Sequence, residues 1–369
     1  MSFPRTALVH DWLTGMRGGE KALELLCELL PDADLFTLIH ARGRVSAAIE
    51  ARRIRTSFLQ RLPGVRRYYR WLLPWMPAAI EAFDLAGYDL VVSSSHCVAK
   101  GARPRPGAPH LCYCFTPMRY AWELADLYFP PQRFVPPLRR LIAWQLERLR
   151  RWDRASAARV SEFVAISAFV AERIRRHYGR AAAVVYPPVD TDFFTPAAAP
   201  AGDYWLVVAA LVPYKRVELA LAACAERREQ LVVVGEGPER GRLERAAGEG
   251  IRFTGWVSDL ELRELYRGCR GLIFPAIEDF GIAPLEAGAC GKPVVGLAQG
   301  GLMESQVEGE TAVLFHSADA AALGDALDRC AAMRFNPRVI RENALRFARP
   351  RCRAALRAQI EGIAGAALP

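Results

Sequence analysis

No run in this 369-residue chain approaches the length of a membrane-spanning helix; the nearest, WLLPWMPAAI at 71–80, is short and broken by prolines. The opening residues, MSFPRTALVHDW, lack an apolar signal-peptide core and go straight into a strand, so a cytoplasmic protein is the expectation. CxxC pairs are missing as well. The nine cysteines are irregularly spaced, and Cys112 and Cys114 alternate inside one apparent strand, which suits structural thiols in a reducing compartment rather than disulfides or zinc. Lysine is scarce, since nearly all of the 49 basic residues are arginine. Set against 40 acidic residues they leave a net charge of +9, suited to nucleotides, lipid phosphates or an anionic membrane surface. Nucleic acid is set aside because no recognition module accompanies the charge.

The usual phosphate fingerprints are also absent. GMRGG at 15–19 is neither a Walker loop nor GxGxxG, and GEGPER at 235–240 places Arg240 where the third glycine should stand. Gly235 and Gly237 are therefore read as turn glycines, and a dinucleotide-dependent oxidoreductase has no motif to rest on.

What is present is the composition of a folded protein, 52% apolar and 24% charged, in a chain long enough for two domains. Short apolar strands alternate with helices in two successive rounds. The first runs through TALVH (6–10), a helix from about Gly19 to Leu30, LFTLI (35–39), DLVVS (89–93), HLCYC (110–114), an arginine-rich helix over 138–154 read as a solvated outer face, and FVAIS (163–167), where Ser167 can cap the next helix. The Pro/Ala-rich run PPVDTDFFTPAAAPAGD is the best linker. A second round begins at WLVVAAL (205–211), followed by the turn VPYKR. The prediction is an α/β chain of two Rossmann-like, doubly wound domains facing a cleft, with ligands at the carboxyl ends of the strands. The boundaries are 1–190, a linker over 191–202, a second domain over 203–348, and a last helix over 349–369 packing back on the first domain.

One stretch, GLIFPAIEDFGIAPLEAGACGKPVVGLAQGG at 271–301, concentrates the chemistry. A strand ends in a short acidic loop holding Glu278, a helix starts near Pro284 with Glu286 in its first turn, and a second strand follows at 294–297. Exposed amides at such a helix start, beside Gly281, can seat a phosphate. The two acids suit sugar hydroxyls better than phosphate, although Glu286 could equally satisfy backbone donors and Glu278 could be a solvated loop acid.

Upstream, 51–80 interleaves arginines with Phe58, Tyr68, Tyr69, Trp71 and Trp75. Such a stretch can lie on an anionic membrane or be an ordinary surface helix with arginines on its flank. Asp11 and His96 end strands that face the predicted cleft. Asp11 could bond an acceptor hydroxyl or cap a turn, and His96 could touch the acceptor or be structural. His40, His110, His177 and His316 are read as structural.

Taken in order, HDWLTGMRGGEKALELLCELLPDADLFTL, SSSHCVAKG, YCFTPMRYAWEL, SAFVAERI, VYPPVD, LVPYKR, VVGEGPE and EDFGIAPLEAGACGKPVV resemble the retaining, family-4 type glycosyltransferases of the GT-B fold. The resemblance implies a sugar-nucleotide donor domain in the second half and an acceptor domain in the first. It gives Lys215, with Arg216, the donor diphosphate, Glu278 the donor sugar near the reacting carbon, and Glu286 the ribose. Glu278 and Lys215 are then the catalytic pair. Gly281 and Ile282 supply amides beside Phe280, and Gly18 or Gly19 brings first-domain amides to the diphosphate. Asp11, His96 and Arg119 are left for the acceptor; for Arg119 a surface or inter-domain ion pair is the competing reading.

The implied reaction moves a hexose, mannose from GDP-mannose, to a lipid-linked or saccharide acceptor in polysaccharide assembly. It uses no cofactor and no DxD-like metal site, and the enzyme would lie in the cytoplasm or peripherally on the inner face of the membrane through 51–80. A UDP-sugar donor and a catalytically weak scaffold are the alternatives. Four positions depart from the family's usual residues: Phe115 stands where histidine is common, Ala210 where arginine is, Ile166 where asparagine is, and Ala312 where glycine is.

Overall fold

The computed structural model describes residues 3–197, 202–366 and 368. The chain forms two compact units, 1–188 together with 352–369, and 189–351. The break falls just before the expected 191–202 linker, of which 198–201 lie outside the described residues.

The first unit holds seven strands: β1 (Thr6–His10), β2 (Asp34–Thr37), β3 (Ile54–Thr56), β4 (Leu90–Ser95), β5 (His110–Cys114), β6 (Glu162–Ala165) and β7 (Ala182–Val184). They pair in parallel in the order β3-β2-β1-β4-β5-β6-β7. The second unit holds β8 (Trp205–Val208), β9 (Leu231–Val234), β10 (Ile251–Gly255), β11 (Gly271–Phe274), β12 (Val294–Leu297) and β13 (Ala312–Phe315), ordered β10-β9-β8-β11-β12-β13. Strands in the middle of each sheet are buried along their whole length, as parallel strands covered by helices on both faces must be. Strand order reverses between β1 and β4 and again between β8 and β11. Loops diverge there, leaving room for a ligand at the carboxyl ends. Asp11, Gly18 and His96 follow β1 and β4, and Lys215 and Glu278 follow β8 and β11, so the topology alone brings most of the candidate residues to the two switch points.

The last helix, Arg349–Ala364, buries Cys352, Leu356 and Ile360, and from Cys352 onward it belongs to the first unit. The stretch 51–80 is not one helix. Pro63, Gly64, Pro74 and Pro77 divide it into β3, a 3-10 turn (Phe58–Arg61), a short helix (Val65–Tyr68), a second 3-10 segment (Tyr69–Trp75) and a helix (Met76–Glu81). No helix among the described residues is long and apolar enough to cross a membrane. The nine cysteines are buried and free.

Two histidines are buried without charge. The ring of His110 bonds Ser93 at 2.8 Å, and burial, with Arg159 and Lys100 adding to it, holds its pKa at about 3. His10 bonds Ser94 at 2.7 Å, and burial lowers it to about 4 against the opposing pull of Asp11. In the unfolded chain both titrate near 6.5, so below that pH the unfolded state binds more protons. Their contribution to stability is present above about pH 6.5 and is lost as pH falls toward about 4 for His10 and about 3 for His110. The melting temperature is expected to drop over that interval, and to drop less in a His110→Asn chain. Equal slopes for the two chains would remove His110 from the account.

Candidate functional site

The candidate residues Lys215, Glu278, Gly281 and Glu286 lie in the second unit, and glycines shape the loops that hold them. Beyond β8 and β9 two loops are joined backbone to backbone: Ala209 N donates to Val234 O (3.0 Å), Leu211 N to Glu236 O (2.9 Å) and Glu239 N to Leu211 O (3.1 Å). A Cβ on Gly235 would stand 1.9 Å from Ala209 O, and one on Gly237 2.1 Å from Leu211 O. These are glycines of close approach rather than turn glycines, and they fix the segment that leads into the Pro213–Lys215 turn. Arg216, in the left-handed region at φ +50, then starts the Val217–Arg227 helix.

The loop after β11 rests on Gly300 and Gly301. Gly301 N donates to Glu278 O at 2.9 Å, and a Cβ on either glycine would come within 2.5 Å of the Glu278 or Asp279 carbonyl oxygen. So held, the Glu278 carboxylate forms an ion pair with the Lys215 ammonium, both side chains mostly buried. The helix that follows spans Ile282–Ala289, two residues earlier than Pro284 suggests, so Pro284 is its third residue and Glu286 lies past the first turn. Proline is tolerated throughout that first turn because its amide would have no partner there. Gly281 precedes the helix at φ +92, where a Cβ would be 2.9 Å from the Phe274 ring. The amides of Gly281 and Ile282 thus begin a helix at the end of the Glu278 loop, which is the geometry for receiving an anion.

Glu286 is 6% exposed and accepts a hydrogen bond from the Tyr266 hydroxyl at 3.0 Å. A buried tyrosine is thus among its partners, and Glu286, as the fifth residue of the helix, stands beyond the usual capping position. Phe280 is corrected: its side chain is buried 5.6 Å from the Phe347 ring, a core position that leaves only its backbone for a ligand. Tyr266 and the Gly300–Gly301 pair escape sequence reasoning. A tyrosine inside an amphipathic helix and two glycines after a strand carry no motif of their own.

In the first unit, Gly18 opens the Gly18–Leu29 helix and Gly19 packs against Phe115 and His10, whose ring atoms stand 3.4 and 3.9 Å from where its Cβ would be. Glu20 accepts from Arg17 N at 3.0 Å, and its burial raises its pKa. Asp11 is corrected. It is fully buried, and its carboxylate accepts from the amides of His96, Cys97, Val98 and Ala99 at 2.6–3.0 Å and pairs with His96 Nδ1 at 3.0 Å. Burial opposes its ionisation, but His96 and His10 outweigh that and hold it well below the usual carboxylate range. Asp11 therefore shapes the loop after β4 and has no oxygen left for an acceptor. His96 keeps partial exposure, its ring edge-on to Trp12 at 4.5 Å. Arg119 is half-buried near Tyr120 and Tyr128. Among the described residues no three acids, histidines or cysteines converge as a metal site would need.

Two Rossmann-like units, each built on a parallel sheet, are the construction of glycosyltransferases with the GT-B fold. Residues 16–193 match the profile described as Glycosyltransferase Family 4 and residues 202–332 that described as Glycosyl transferases group 1; the chain belongs to this family of glycosyltransferases. Over 177 residues it is 36% identical to the D-inositol 3-phosphate glycosyltransferase of Frankia alni, covering 40% of this chain and 43% of that protein. Over 100 residues it is 32% identical to O-antigen chain mannosyltransferase C of Escherichia coli, covering 25% and 27%. The chain thus spans less than half the length of these curated relatives. Among solved structures, HepE of Anabaena in complex with UDP aligns with a TM-score of 0.70 at 17% identity, over 96% of this chain and 100% of that one. The lipopolysaccharide outer core galactosyltransferase WaaB in its apo form aligns at 0.67 and 16%, over 97% and 99%. At such identities the likeness is one of fold.

Proposed function

We propose that this glycosyltransferase moves mannose from GDP-mannose, with retention, to a lipid-linked or saccharide acceptor in polysaccharide assembly. The observation that carries the donor site is the Lys215–Glu278 ion pair, set beside the amides of Gly281 and Ile282. When the nucleoside diphosphate departs, negative charge grows on a phosphate oxygen, and Lys215, Arg216 and those amides are the groups to stabilise it. Glu278 accepts from the donor sugar, and Glu286 from the ribose hydroxyls. The acceptor hydroxyl attacks the anomeric carbon on the face the diphosphate leaves, and its proton passes to the leaving phosphate oxygen. The reading needs no metal and no further cofactor. Gly18 and Gly19 lie in the other unit, and their share in diphosphate binding rests on the resemblance. His96 and Arg119 remain the acceptor candidates.

Mannose is supported by the names of two relatives: the Escherichia coli mannosyltransferase and the GDP-mannose-dependent alpha-(1-6)-phosphatidylinositol monomannoside mannosyltransferase of Mycolicibacterium smegmatis, 32% identical over 193 residues. The second of these is named for a lipid acceptor, which supports an enzyme working at a membrane surface; the cytoplasmic side is part of the proposal. A UDP-sugar is the second reading, because HepE was solved with UDP. A thermal-shift panel of GDP-mannose, UDP-glucose, UDP-N-acetylglucosamine and dTDP-rhamnose, followed by donor hydrolysis with and without EDTA, tests this. GDP-mannose is expected to give the largest shift, with hydrolysis surviving EDTA. A larger UDP-sugar shift overturns the donor assignment, and binding with no hydrolysis or transfer would make the chain a scaffold.

A further inference from the structure

The first unit concentrates its exposed large apolar side chains on two stretches of chain. Trp71 is 82% and Trp75 64% exposed in the first, and Leu138, Leu141 and Trp144 are 41%, 52% and 55% exposed in the second. Neither 51–80 nor 129–146 contains an aspartate or glutamate, while Arg66, Arg67 and Arg70 stand exposed in one and Arg139 and Arg140 in the other. The second stretch opens the Pro136–Ala157 helix, whose buried residues begin only at Leu149. Its first turns are thus an outer, exposed face as their arginines suggest, but one that carries large apolar side chains among the charges. Leu141, Trp144, Arg148 and Arg151 follow one another at helical spacing and share one side of that helix, apolar at one end and charged at the other, where Arg151 pairs with Glu147 at 3.3 Å. The two stretches are anchored in one core cluster, where Tyr69, Leu73 and Met76 of the first are buried with Leu149 of the Pro136–Ala157 helix and Tyr120 packs against them. The rings of Tyr120 and Tyr128 pack 4.8 Å apart just before the second stretch begins.

We propose that these two stretches form one docking surface for an anionic membrane. Water gives Trp71, Trp75, Leu141 and Trp144 no reason to stand exposed. An interfacial lipid layer accepts such rings and chains at headgroup depth, and Arg66, Arg67, Arg70, Arg139 and Arg140, in stretches that hold no acid, meet its phosphates. The complementarity is of charge as well as polarity, which separates a lipid surface from an ordinary apolar protein contact. The proposal deepens the lipid-linked acceptor reading, yet docking is measured without any transfer, so either can fail alone.

The test is flotation of the full chain with phosphatidylcholine vesicles, with and without phosphatidylglycerol, at low and high salt. Wild type is expected to float with the anionic vesicles and to be released by salt. Each arginine removed, as in Arg139→Gln or Arg140→Gln, should weaken binding by about fivefold. Trp71→Ser with Trp75→Ser, and separately Leu141→Ser with Trp144→Ser, should each weaken it by about tenfold or more, since the side chains lose their apolar seat. Because all of these residues are exposed, melting temperatures should stay at the wild-type value, which separates lost docking from lost folding. Flotation of the Leu141→Ser, Trp144→Ser chain equal to wild type overturns the second limb and the proposal with it. Equal binding to neutral vesicles also overturns it, as does a dimer in light scattering that those substitutions dissolve; the surface would then belong to a second copy of the chain. A chain that transfers sugar but does not float loses only this proposal, and one that floats but binds no sugar nucleotide loses only the assigned function.

Discussion

Replacing Lys215 with alanine is expected to lower kcat/KM by about 100–1000-fold, the range seen when a preorganised charge at a developing oxyanion is removed. Nucleoside diphosphate binding should weaken alongside it. The opposite partner should behave differently. Glu278 holds Lys215 in an ion pair, so a diphosphate must compete with a carboxylate for the same ammonium. Glu278→Gln removes that competitor. It is expected to bind GDP or UDP as well as wild type or better, while losing transfer because the donor sugar loses its acceptor group. Calorimetric titration with each nucleotide, run beside a radiolabelled transfer assay, checks both arms. If Glu278→Gln weakened nucleotide binding as much as Lys215→Ala, the pair would be a structural brace and the assigned roles would fall.

The second large effect is expected at Glu286 and reaches it through Tyr266. Tyr266 is fully buried, and burial together with the neighbouring Glu286 carboxylate pushes its pKa far up, so it stays a hydrogen-bond donor at any working pH. Its 3.0 Å bond to Oε2 ties down one oxygen of Glu286 and fixes the plane of the carboxylate. A hydrogen bond to a charged group contributes about 1.5–3 kcal/mol, so Glu286→Gln should weaken ribonucleotide binding by about 10–100-fold. Against the 2′,3′-dideoxy nucleotide it should change little. Tyr266→Phe keeps the ring and removes only the hydroxyl; a smaller loss of about fivefold in the same ribo-to-dideoxy preference is expected, because the charge-assisted bond it removes orients Glu286 without itself touching the ribose. The preference is the informative quantity, because a merely loosened fold would weaken both nucleotides together. An unchanged preference in Glu286→Gln would end the ribose assignment itself.

Much of this could be read from the chain. Buried parallel strands need uninterrupted apolar runs, so TALVH, HLCYC, LVVV and GLIF announce themselves, and their alternation with helices leaves few topologies. The acid–glycine–proline pattern of 278–286 likewise carried its loop and helix. Other features depend on what a side chain meets across the fold. Asp11 at a strand end looks the same whether it faces a ligand or, as here, gathers four amides from residues 96–99. Phe280 sits within the motif yet points into the core. Gly235 and Gly237 look like turn residues until the carbonyls of Ala209 and Leu211 are placed against them. The arginines of 136–157 suggest a solvated helix, and only the burial of Leu149 and Asp153 shows which side faces inward and how much of the helix is left outside.

The course of the chain between its two units has a consequence for how the protein is made. The second unit is an insertion, because the first unit is completed only by residues from Cys352 onward. Entry to and exit from the insertion are clasped, with Val189 N donating to Phe347 O at 3.1 Å and Arg349 N to Val189 O at 3.0 Å. During synthesis the second unit is whole once residue 351 has emerged, while the first still waits for the helix that covers its core with Cys352, Leu356 and Ile360. The unit begun first is thus the one finished last. Its early strands must stay partly uncovered through the translation of the whole insertion, and a nascent chain stalled near residue 350 would carry a finished second unit on an open, aggregation-prone first one.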